Sequence, residues 1–263
     1  MSQLPQNLPL SRDQVLDEVE FLLTVEHALI VEYLSVRCAL GYDLDTAHGG
    51  PVTEASREAA AEADTQAGLL MLKVGRVVRA LYGVRTVTAL GRAGEIADAT
   101  GMEISLEPPT REQLEHLLDR EEAIAAAVDA RYARLGPAMH ADGPDGEAFP
   151  AQLRAEVEGG THHVDGLSGL RDLLASQPIA DLLRATRRDG DTDAENALLQ
   201  SSDRTYAQLL DALGGFYRDP FGDSDGSGGE SRLVALAAMH SFDDINRSLV
   251  RAGLLPPFQM PPA

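Results

Sequence analysis

The chain has 263 residues, 44% of them hydrophobic, and 22 Lys and Arg against 42 Asp and Glu, for a formal net charge of -20 and a pI near 4.6. That length is enough to bury a sizeable core, and that charge excludes electrostatic attraction to nucleic acid or to an anionic membrane surface. The single cysteine, Cys38, has no intrachain partner for a disulfide, the N-terminal MSQLPQNLPLS lacks the basic and apolar regions of a secretory signal, and no window approaches about 18 uninterrupted apolar residues, so a cytoplasmic protein is expected.

Ser11-Arg-Asp-Gln14 reads as a capping box that opens a helix over 12–40, with Gly41 as its stop. From Phe21 to Leu40 this helix is apolar on nearly every side, which belongs in the centre of a bundle. A second helix is predicted over 53–82, alanine-rich and acidic at first and core-like from Leu69 to Leu81. Residues 84–109 show no clear period and read as irregular. Thr110-Arg-Glu-Gln113 opens a third helix over 110–135, with Ile124, Val128 and Tyr132 on its buried stripe, and Gly136-Pro137 is expected to end it. A fourth segment, 150–175, contains Gly159-Gly160, a pair that predicts a break or a close approach to the backbone. Helices over 193–217 and 231–252 flank the tract DPFGDSDGSGGE, and the proline-rich tail cannot continue the last one. No strand pattern or repeat is visible, so the chain is expected to be all-α, an antiparallel bundle with 1–263 as a single domain.

Three ionisable groups, Glu26, His27 and Glu32, interrupt the apolar first helix. A buried carboxylate needs a partner, or its pKa rises. Helical spacing puts Glu26 on one broad face with Val19, Leu22, Ile30 and Tyr33, so the carboxyl and the Tyr33 phenol are expected to share an interior. The structural alternative is a carboxylate satisfied by a Tyr or Arg of a neighbouring helix. Ferritin-like bundles hold iron or manganese with Glu and Glu-x-x-His side chains from four helices, and the candidates here are Glu26, Glu121 or Glu122, Glu156, Glu158, His162 and His163. Glu158 and His162 are i,i+4 neighbours, while the adjacent His162 and His163 point about 100° apart, so only one of the two should bind a metal. His140 and His240 read as surface and packing residues. Lys73 is the only lysine against 21 arginines, a bias attributed to codon usage.

Glu26-His27-Ala28-Leu29-Ile30-Val31-Glu32-Tyr33-Leu34 resembles the LEHATIPPYL-type first-helix motif of ferritin-like domains related to iminophenylpyruvate dimer synthases, with Glu26 at the metal-ligand position and Val31-Glu32 replacing Pro-Pro. Val157-Glu158-Gly159-Gly160 resembles the family's GEG turn, and the run from His163 to Leu170 its HYxRF-type helix. Tyr206-Ala-Gln-Leu-Leu-Asp-Ala-Leu, Ala237-Ala-Met-His and Ala252-Gly-Leu-Leu-Pro-Pro-Phe258 are similar to its C-terminal part. The EEMLHM-type motif of the second helix is replaced by Gln66-Ala-Gly-Leu-Leu-Met71 when Ala80-Leu-Tyr-Gly83 is set on the AIGG ending, so that Glu-x-x-His is lost.

The resemblance implies a ferritin-like antiparallel four-helix bundle with additional C-terminal helices. It also implies a tailoring enzyme of small-molecule (secondary) metabolism that oxidises an amino-acid-derived substrate, and with the helix-two motif lost the expected centre is a reduced or mononuclear iron site of Glu26, Glu158 and His163. The alternatives are a metal-free bundle enzyme in which Glu26, Tyr33 and a histidine, His162, carry acid/base chemistry such as cyclisation or isomerisation, and a non-catalytic binding protein. A small-molecule partner is expected, nucleic acid and membrane are not, and self-association into a homo-oligomer stays open.

Overall fold

The computed structural model describes residues 10–41, 53–87, 111–140, 148–160, 163–176, 187, 189–221 and 229–256, with the backbone alone for 111–121 and 164–167. Within them the chain is all-α: α1 (Arg12–Ala39), α2 (Glu54–Leu81), α3 (Arg111–His140), α4 (Ala151–Glu158), α5 (His163–Ala175), α6 (Asp193–Arg218) and α7 (Glu230–Arg251). The only extended pairing among the described residues is an isolated bridge between Arg187 and Leu254. No described helix is long and apolar enough to cross a membrane.

Local chemistry sets the ends. Ser11 accepts from the Gln14 amide while the Gln14 side chain accepts from the Ser11 N–H at 2.9 Å, the reciprocal bonding of a capping box, and Thr192 and Glu195 repeat it at α6. Gly41, at φ 82°, takes the left-handed conformation that closes α1 without a Cβ penalty. The predicted stop at Gly136-Pro137 is corrected: α3 runs through Pro137 to His140. Leu135 and Met139 are both buried on either side of the proline, and their packing holds the last turn in place against its missing N–H. The loop with His48, the capping residue Thr110, His162 and most of the 219–230 tract lie outside the described residues.

α1 is the central helix, as its all-round apolar pattern predicts. Every residue from Val25 to Tyr33 is buried, including Glu26, His27 and Glu32. It pairs antiparallel with α2: the Ser56 hydroxyl at the start of α2 donates to the Leu40 carbonyl at the end of α1, and Arg85 just past α2 reaches Asp17 near the start of α1. α6 and α7 form a second antiparallel pair, with the Ser231 hydroxyl donating to the Asp219 carbonyl and Ser202 to Asn246. α3, α4 and α5 pack together and against α1 and α2. Arg37 ties α1 to α2 and α7 through Asp64 and Asp243, both at 2.6 Å. Cys38 is a core residue, its thiol pushed up to about 11 by burial. α1 thus separates two neighbourhoods: α3, α4 and α5 on one side, the α6–α7 pair on the other, with α2 shared.

Candidate functional site: a buried Glu–Lys–His–Asp cluster

Glu26 is fully buried on α1, and three other helices bring it partners. From α3, the Tyr132 hydroxyl donates to Glu26 Oε1. From α2, the Lys73 ammonium lies 2.8 Å from the same oxygen. From the start of α5, His163 Nε2 lies 3.6 Å from it. Lys73 also donates to the Gly160 carbonyl at 3.0 Å and lies 3.4 Å from His163 Nε2, so its three protons meet three acceptors. The ammonium sits 3.9 Å from the Tyr132 ring centroid, and the His163 ring stacks on that phenol at 6.0 Å.

The far side of His163 fixes its tautomer. Asp129 Oδ1 accepts from the His163 backbone N–H at 3.2 Å and from ring Nδ1 at 2.8 Å, which keeps a proton on Nδ1 and turns Nε2 towards Lys73 and Glu26, as an acceptor from Lys73 in the neutral ring and as an N–H facing Glu26 in the imidazolium. Gly160 makes the approach possible. A Cβ at that position would stand 2.4 Å from the Tyr132 ring, so the break after α4 lets the backbone lie against the phenol and aim its carbonyl at Lys73. Both outcomes predicted for Gly159-Gly160, a break and a close approach, occur together.

The electrostatics follow from burial and neighbours. Burial pushes the Glu26 carboxyl up, but His163 and Lys73 outweigh it and hold the pKa below the ordinary value, so Glu26 is a carboxylate. Burial pulls Lys73 down from its ordinary range, with Glu26 opposing. Burial, and then the Glu26 charge, raise Tyr132 well above an ordinary phenol, so it stays a donor. Tyr217 of α6 is raised by burial and by the same carboxylate, which places Glu26 within electrostatic reach of the α6–α7 side.

The residues singled out in the sequence therefore divide. Glu26 and His163 come together. Tyr33 is buried on α1, but its phenol is raised by burial and by Glu32 and Glu62, and Tyr132 is the phenol that donates to Glu26. Glu158 is exposed and pairs with His140, Glu156 with Arg76 and Glu122 with Arg171. Lys73, Tyr132 and Asp129 were missed as site residues. A lone lysine in the core-like half of α2, in a chain that otherwise uses arginine, was the available signal for the first.

An iron centre of the kind the resemblance implies finds no matching donor set. The Lys73 ammonium occupies the Glu26 oxygen and faces the free nitrogen of His163, where a metal bridging the two would have to lie. Glu158 points elsewhere, and no three His, Cys, Asp or Glu side chains among the described residues converge to hold a metal ion. What the cluster offers is a cation, an oriented imidazole, a phenol donor and a carboxylate in mutual contact. No family model, no curated protein and no solved structure matches this chain.

Proposed function

We propose that residues 1–263 form a ferritin-like helical domain whose interior works by proton transfer without a metal, as an acid/base enzyme that isomerises or cyclises a small molecule. The observation that carries this is Lys73, seated on Glu26 and in contact with an imidazole oriented by Asp129. In this mechanism His163 Nε2 removes a proton from one substrate atom and Asp129 stabilises the imidazolium formed. Lys73, pulled down by burial, is the acid that protonates another atom of the substrate, while Glu26 and Tyr132 hold it in place. The imidazolium then returns its proton to the Lys73 amine across their contact, which resets both groups with no net change. Glu26, ionised, is the anchor of the ammonium and not the raised-pKa base expected from its burial alone.

Because Lys73 is the sole lysine, 15N-lysine labelling gives one side-chain resonance to titrate. The expected midpoint lies below the ordinary 10.5 and falls further in Glu26→Gln, where the opposing charge is gone. In D2O, the protein should wash deuterium into a member of a panel of 2-oxo acids and enones, and Lys73→Met and His163→Gln should not. An ordinary Lys73 titration, indifferent to Glu26→Gln and accompanied by no deuterium incorporation, would sink the proposal.

A further inference from the structure

An apolar cleft lies on the other side of α1, with the exposed Leu69, Leu72 and Leu236 in its lining. Between α1, α2 and the α6–α7 pair is a cavity of about 640 Å³, within the range that accommodates small molecules. Its walls are aliphatic and aromatic, with Ile30 and Val31 from α1, Leu209 and Phe216 from α6, and Met239 and Phe242 from α7.

Three features of the lining point to an occupant. The first is charge. In a chain of net charge -20, the described residues that line the cavity include Arg76, Arg79 and Arg232 and not one Asp or Glu. Arg76 is paired with Glu156 at 3.0 Å, but Arg79 Nε is buried with no hydrogen-bond partner among the described residues. An orphaned guanidinium N–H on an apolar wall is costly unless an acceptor arrives. The second is His27, 6% exposed, which lines the cavity and whose Nε2 also has no described partner.

The third is a pair of glycines. Gly68 and Gly75 lie seven residues apart on α2, so they share a face, and both line the cavity. Each costs a helix interior about 1 kcal/mol relative to alanine. A tight protein contact is the usual reason to keep such a glycine, yet a Cβ at either position would meet no atom within 4 Å. The protein's own packing does not require them. They widen a space that alanine or leucine would fill.

We infer that this cavity is a binding site for a long-chain carboxylate, its alkyl chain between α2 and the α6–α7 pair and its head on the arginine-bearing wall. An apolar body needs the apolar walls, and an anionic head needs a guanidinium that no carboxylate already holds, which leaves Arg79 and Arg232, since Arg76 is held by Glu156. Arg79 supplies a guanidinium that no described carboxylate pairs, Gly68 and Gly75 supply the width, and the site stands whether or not the Glu26 cluster is catalytic.

Dodecanoate, titrated calorimetrically below its micelle concentration against the full chain, is the probe. The expected result is saturable binding of one molecule per chain, with 1-dodecanol at least about tenfold weaker and dodecyltrimethylammonium weaker still. Arg79→Gln should bring dodecanoate to the level of the alcohol. Gly75→Phe should abolish binding by filling the space, with Gly68→Leu as a second, smaller filler in case the first perturbs folding, and circular dichroism as the check on the helices. Absence of saturable dodecanoate binding, equal affinity for the cationic probe, or binding unchanged in both folded glycine variants would overturn the assignment.

Discussion

Glu26 and His27 are consecutive on α1, about 100° apart around the helix, and both are buried, yet the chain satisfies them in opposite ways. Glu26 keeps its charge because α2, α3 and α5 bring it a cation, a phenol and an imidazole. His27 gives up its charge: burial pulls its pKa down to about 4, and its Nε2 has no described partner. The side of Glu26 is packed so closely that Gly160 has no room for a methyl group, whereas on the side of His27 the glycines of α2 face open space. A buried polar group is tolerated either through partners or through neutrality, and here one helix does both within a single turn. On the packed face the polar groups are held by one another, and on the open face the lining leaves space.

The sharpest way to break this contrast is Lys73→Met. It leaves Glu26 buried and charged, and by the usual cost of breaking a buried pair it should destabilise the fold by about 3–5 kcal/mol in urea unfolding at pH 7. Lys73→Met with Glu26→Gln should recover most of that, since no uncompensated charge remains. A small loss in the single variant, with no recovery in the double, would mean that the pair is not a unit.

His27 is next in size. Its folded pKa of about 4 lies below the ordinary 6.5, so the unfolded chain binds the proton more tightly. Stability contributed by the neutral ring is present above pH 6.5 and is lost as pH falls towards 4, by about 3 kcal/mol over the full window. His27→Gln should remove that slope from a series of urea melts, and an unchanged slope would place His27 in contact with water. Glu26, whose pKa is depressed, acts in a lower window: its contribution is present above its ordinary 4.5 and lost as the pH falls through its folded value.

The glycines give the smaller, matched pair. Gly160→Ala drives a methyl into the Tyr132 ring and displaces the carbonyl that Lys73 uses, with an expected loss of about 1–3 kcal/mol. Gly75→Ala, also a single methyl, meets nothing and should raise stability by about 0.5–1 kcal/mol, through helix propensity and a less flexible unfolded chain. Thermal melts of the two variants side by side would show opposite shifts. Shifts of the same sign would remove the distinction between a packed and an open face.

Much of this architecture could be read before the structure. The capping boxes at Ser11 and Thr192 depend on side chains three residues apart, and both form. The missing apolar stripe on α1 placed it in the centre, and Glu26 stood out there because a carboxylate among leucines has to be accounted for. The predicted end at Gly136-Pro137 failed because a local rule about proline yielded to the burial of Leu135 and Met139 on the core. Tyr33 was chosen as the phenol beside Glu26 from its position on the same helix, but Tyr132, which belonged only to a predicted buried stripe, reaches the carboxylate from another. Lys73 looked like a matter of codons, since nothing in α2 alone says which residue of α1 it meets.

The sequence by itself determined the all-α class, the capping boxes at Ser11 and Thr192, the central position of α1 and the presence of a buried carboxylate that requires a partner. These rest on interactions within a few residues, or on the side-chain period of a single helix. Tertiary structure decided which partner arrives, the Asp129–His163 orientation, and the division of α1 into a packed face and an open one. Those depend on how turns of different helices meet, a geometry set by the packing of the whole core, where the absence of a side chain at Gly160 or Gly75 matters as much as the presence of one at Lys73.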